Sequence, residues 1–177
     1  MLAQAVKRLR DQRQGGISAI IAQEKPQPAR RETVAIDLPM PTYIPTDYVP
    51  DLALRIQLYR RMAELHNEAA IADLRAELED RFGPLLPPAE NLLFQLRVKQ
   101  LALRAGVDSI TAEGTQISIR MEALEHADRP MLQRQLGHGV RVSRTAIWFP
   151  RETDNWPSAL ISVLERLTAD HSAVSVP

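Results

Sequence analysis

Apolar residues recur every three or four positions between Ile71 and Phe82. There Ile71, Leu74, Leu78 and Phe82 make one face of a helix, and Asp73, Glu77 and Asp80 fall on the other side. Gly83 can adopt the left-handed conformation that closes a helix and Pro84 cannot continue it. The spacing therefore predicts a helix over 68–82, capped by Asn67, with an acidic stripe displayed at a defined end. A helix before it begins near Asp51, whose carboxylate suits the positive N-terminal end, and runs to about residue 65. In this helix Leu52, Ile56, Tyr59 and Ala63 make one stripe, widened by Leu58, Met62 and Leu65, which predicts packing on two neighbours. A third helix, 88–105, starts at Pro87-Pro88 and is stopped by Gly106. Its apolar residues, from Leu92 through Leu103, run nearly all the way round, so it belongs in the middle of the fold.

Elsewhere the period changes to two. Ile117, Ile119 and Met121 alternate with Gln116, Ser118 and Arg120, and Glu113-Gly114 supplies a turn, which together predict a β-hairpin over 107–121. Thr33 to Leu38 is a short strand. Pro39, Pro41, Pro45 and Pro50 then make a stiff strap, pinned by Tyr43, Ile44, Tyr48 and Val49. Residues 127–136 read as a short helix with Met131, Leu132 and Leu136 inward. Residues 140–142 and 146–149 read as two strands. Asn155, Trp156 and Pro157 open a last helix with Leu160, Ile161, Leu164 and Leu167 buried. The fold class expected is α+β: a helical layer packed with a small, mainly antiparallel sheet. A domain of residues 33–169 follows a leading segment, 1–32, which holds a short helix and a linker, and precedes a disordered tail, 170–177.

The 177 residues carry 22 basic and 22 acidic side chains, a balance that argues against a surface that is one electrode for nucleic acid or membrane. The distribution is uneven. Residues 1–31 hold seven Lys or Arg against two Asp or Glu. Lys7, Arg8, Arg10 and Arg13, with Arg30 and Arg31, are either a solvated helix face and linker or a patch that contacts the phosphates of nucleic acid. Cysteine is absent, which excludes disulfides and thiolate chemistry. The chain shows no bilayer-spanning apolar run, and a cytoplasmic protein is expected.

No metal spacing links His66, His126, His138 and His171, and the chain has neither a Gly-rich dinucleotide loop nor a G-x-x-x-x-G-K-[ST] phosphate loop. No metal, no cofactor and no ATP hydrolysis are expected of this chain. Glu77 and Asp80 could in principle share acid–base work, but they sit opposite the core stripe, where water keeps both ionised. Three accounts of the stripe remain: a solvated face with an i,i+4 pair between Glu77 and Arg81, a docking surface whose paired carboxylates accept an arginine fork, or both together.

The ordered series Ile44-Pro45, Asp47-Tyr48-Val49-Pro50-Asp51, Arg55, Tyr59-Arg60, Glu77-Leu78, Asp80-Arg81-Phe82-Gly83 and Asn91-Leu92-Leu93 closely resembles the C-terminal domain of bacterial transcription-repair coupling factors (Mfd). The likeness covers about residues 33–168, departing from the family pattern at Leu86 and matching weakly over 122–156. Residues 1–32 are similar to the end of that family's translocase module, so the resemblance implies a C-terminal fragment of a multidomain protein. It implies a non-catalytic, autoinhibitory domain. In the family this domain packs on an N-terminal UvrB-like module, masks the binding of UvrA and restrains an ATP-driven motor that acts on RNA polymerase and double-stranded DNA. The resemblance carries a docking role to Glu77 and Asp80, flanked by Asp73 and Arg81 and supported by Leu78, Phe82, Gly83 and Pro84. The alternative is a nucleic-acid-binding module built on the basic leading segment.

Overall fold

The chain divides into two units, residues 1–32 and 33–177. The computed structural model describes residues 33–137, 139–152 and 155–174. In order, these residues form β1 (Ala35–Asp37), α1 (Leu52–Ala63), α2 (Glu68–Phe82), α3 (Pro87–Ala105), β2 (Ser109–Glu113) and β3 (Gln116–Arg120). A 3₁₀ turn (Glu122–Glu125), α4 (Arg129–Leu136), β4 (Arg141–Val142), β5 (Ala146–Pro150) and α5 (Trp156–Val174) follow. The fold is α+β. The backbone of α5 extends to Val174.

The sheet has the order β1-β2-β3-β5-β4. β1 lies parallel to β2 and every other pair is antiparallel. The hairpin loop is the two residues Gly114-Thr115, since Glu113 pairs with Gln116. Gly114 has φ 59°, and a positive φ at the first loop residue is what a type II′ turn requires. Rows across the sheet follow from register. Ile110, Ile119 and Ile147 make one, and Ala112, Ile117 and Phe149 another, both on the face that packs on the helices. Val98, Leu101 and Ala102 of α3 and Leu160 and Leu164 of α5 complete this larger core. Ser118 departs from the alternation. It stands on the opposite face between Thr111 and Trp148, yet is fully buried, and its hydroxyl has no partner among the described residues.

A second apolar cluster joins the strap (Ile44, Tyr48, Val49), α1 (Leu58, Met62), α2 (Ile71, Leu74, Leu78) and Leu93 of α3. α3 thus belongs to both cores, as its all-round apolar pattern requires. Two arginines tie the helices at the surface. Arg75 bonds Glu79 (3.1 Å) and Glu90 (2.7 Å), and Arg97 bonds Glu68 and Glu165, both at 2.9 Å.

Three expectations fail here, each because a neighbour decides what a local pattern cannot. On α1 the stripe Leu52, Ile56 and Tyr59 is exposed, Leu52 at 63%, while the other apolar arc, Leu58 and Met62, faces α2. The Tyr59 hydroxyl still reaches the strap, accepting the N–H of Ile44 at 2.7 Å. Tyr43 of the strap is half exposed, because the turn closed by the Tyr48 and Val49 amides on the Pro45 carbonyl points its neighbours inward instead. Met131 of α4 is also exposed. Leu132 and Leu136, one turn apart, already fill that helix's buried face.

Candidate interaction surface on the second helix

α2 starts where the Asn67 carboxamide accepts the Ala70 N–H at 2.8 Å, an N-cap that satisfies a donor the helix leaves free. Ile71, Leu74 and Leu78 are buried, so the stripe of Asp73, Glu77 and Asp80 faces outward at a fixed angle. The helix ends at Phe82, and the Gly83 N–H bonds the Glu79 carbonyl at 3.0 Å. Gly83 has φ 84° and ψ −170°. It is a positive-φ residue but not a left-handed helical one, because the chain leaves the helix extended. The Tyr48 hydroxyl, reaching from the strap, shares its one proton between the carbonyls of Gly83 (2.8 Å) and Leu78 (3.1 Å), holding the last turn closed. Burial, and then the Glu79 charge, raises the Tyr48 pKa, which keeps that hydroxyl a proton donor. The Tyr48 and Phe82 rings lie 5.7 Å apart, and the Arg81 guanidinium stacks over Phe82 at 5.2 Å.

The carboxylates of the stripe are not equivalent. Glu77 is half-buried and held on both oxygens, by Arg61 of α1 at 2.5 Å and by Arg81 at 3.1 Å. The expected i,i+4 pair with Arg81 is present, but the stronger partner comes from sixteen residues upstream, where no spacing rule points. Two arginines thus add to the solvation of the Glu77 carboxylate. The Arg61 hydrogen bond, opposed by desolvation and aided by Arg81, holds its pKa below the ordinary glutamate range. Asp73 and Asp80 are exposed and have no ion pair among the described residues. The structure thus separates a carboxylate that braces α1 against α2 from two that face solvent.

Because the Glu77 pKa is lower folded than unfolded, its contribution is present above the unfolded value, about 4.3, and is lost as pH falls through the folded one. Glu77→Gln should therefore lower stability slightly at pH 7, by a few tenths of a kcal/mol for so exposed a network. Below the folded value, where the carboxyl is protonated in both states, it should have no effect. Urea midpoints of both proteins across this range check it. Pro84 is exposed and Arg81 half-committed to Glu77. Lys7, Arg8, Arg10, Arg13, Arg30 and Arg31 lie outside the described residues.

The family profile described as the TRCF domain matches residues 38–132, more than half of the chain. The chain belongs to the TRCF domain family. The match runs from the strap to α4 and so contains the whole acidic stripe. Among curated relatives, the transcription-repair-coupling factor of Escherichia coli is 38% identical over 72 residues, 41% of this chain and 6% of that protein. That of Mycobacterium tuberculosis is 34% identical over 95 residues, 54% of this chain and 8% of that protein. This TRCF domain therefore spans less than a tenth of the length of these relatives. A solved structure, the C-terminal domain of a transcription-repair coupling factor, superposes with a TM-score of 0.69 over 81% of this chain and 96% of the other. At 18% identity it shares the fold. Among the described residues no helix is long and apolar enough to cross a membrane.

Proposed function

We propose that this domain is the autoinhibitory docking module of a transcription-repair coupling factor, and that the solvent-facing edge of α2 binds a basic surface on the parent's UvrB-like module. Docking there hides the surface that takes UvrA and restrains the motor until RNA polymerase and DNA are engaged. The observation that supports this reading is Asp80, an exposed carboxylate with no ion pair among the described residues, next to the Gly83 stop on a helix clamped by Tyr48. Asp73 stands two turns away on the same stripe. Glu77 keeps Arg61 and Arg81 in place beside them, so its part is to shape the edge and share its charge. Pairs of this kind recognise an arginine-rich partner at modest strength and with marked sensitivity to salt, which suits a contact that must open.

The test is charge reversal in the full-length parent. Asp80→Lys with Asp73→Lys should weaken docking on the UvrB-like module about tenfold, the equivalent of about 1.4 kcal/mol, and should increase UvrA capture. Glu64→Lys, exposed at the C-cap of α1, should change neither. Unchanged docking and UvrA capture in the double variant would remove the proposal.

A further inference from the structure

Among the described residues the sheet ends at β1, with no strand beyond it. Ala35 donates its N–H to the Asp108 carbonyl at 3.2 Å and pairs in register with Ser109. In a parallel ladder alternate residues turn their peptide groups to opposite sides, so the N–H and C=O of Ile36 point away from β2. Neither group has a partner among the described residues. Alongside runs a groove of about 210 Å³ between β1 and α3, lined by Val34, Ile36, Leu92, Gln95, Leu96 and Lys99. The Asn91 carboxamide binds the Pro41 carbonyl at 3.1 Å, beyond the C-terminal end of β1. α3 therefore runs back along the strand and brings Lys99 to its N-terminal end. Lys99 has no ion pair among the described residues.

We propose that this edge accepts an extended, acidic segment of a partner protein. The segment pairs with the free peptide groups of Ile36, seats one apolar side chain against Leu92 and Leu96, and sets an aspartate or glutamate two residues along against Lys99. Side chains two apart on a strand share a face, so both reach the groove together, and main-chain pairing supplies affinity while the two side chains supply selectivity. The lone ammonium decides the chemistry of the occupant. A second copy of this chain pairing through its own β1 would offer Val34, Ile36 and Leu38 on that face and leave Lys99 unmatched. This surface lies on the sheet edge and does not depend on the role proposed for α2.

The probe is the acetylated, amidated heptapeptide Ser-Thr-Val-Thr-Asp-Thr-Ser, titrated into the ¹⁵N-labelled chain. A saturable downfield shift and slowed exchange of the Ile36 amide are expected. Replacing the probe's aspartate by lysine should weaken binding up to about fivefold, the range of one exposed ion pair. Lys99→Glu should reverse that preference, and N-methylation of the five central residues should abolish binding. No saturable shift, undiminished binding of the N-methylated peptide, or an unchanged preference in a folded Lys99→Glu protein overturns the proposal. So does a concentration-dependent dimer that protects Ile36 without peptide. If Lys99→Glu does not fold, the peptide series alone decides.

Discussion

Leu78→Ala should destabilise the domain by about 3 kcal/mol, the mid-range for truncating a buried leucine, and should also weaken the docking proposed for α2 although no charge is altered. Leu78 is 1% exposed at the centre of the cluster formed by the strap, α1 and α2, and its own carbonyl accepts the Tyr48 hydroxyl. Truncation leaves a cavity under the acidic stripe at the point where the strap grips the helix. Leu52→Ala is the informative partner experiment. Read from the sequence it belongs to the main apolar stripe of α1, yet it is 63% exposed and should cost under about 0.5 kcal/mol. Urea denaturation of the two variants side by side measures the contrast, and equal losses would contradict the packing described.

Gly83→Ala should cost about 2 kcal/mol, within the range for a residue held in a backbone region open essentially to glycine alone. The cost is conformational. A Cβ at Gly83 would meet nothing within 4 Å, so no clash contributes. At φ 84° and ψ −170° the residue occupies the mirror image of extended backbone, which an L side chain resists and a D side chain prefers. D-alanine introduced at this position by semisynthesis should accordingly restore the stability lost with L-alanine. Since the Gly83 carbonyl holds the Tyr48 hydroxyl, the L-alanine variant should also raise amide exchange through the strap around Val49. A loss of the same size with both enantiomers would place the cost in packing instead.

These two positions also mark how far the sequence could be read. α2 was legible because its cap, its stop and its single apolar arc agree, and the hairpin 109–120 was legible because period two and a Gly-containing turn coincide. α1 carries two apolar arcs, and the choice between them lies with α2 and the strap, which are remote in sequence. Ser118 reads as outward by alternation, and only the row Thr111–Ser118–Trp148 shows it buried. The acidic stripe was visible as composition on a helix face. Its division into a braced Glu77 and two solvent-facing aspartates required Arg61, sixteen residues away. The sheet edge at Ile36 gave no signal, since an edge strand and a central one look alike until the ladder is known.

The sharing of α3 between two apolar clusters sets how the domain bears load. Any pull on the stripe is applied to the smaller cluster, while the sheet and α5 are anchored in the larger one. The force must cross the seam between α2 and α3, where Arg75 and Arg97 act as rivets, Arg97 reaching on to Glu165 of α5. Rivets made of exposed ions loosen with ionic strength. A force applied at the stripe should thus peel the strap, α1 and α2 away from an intact sheet before the whole domain gives way, and should do so at lower force in high salt.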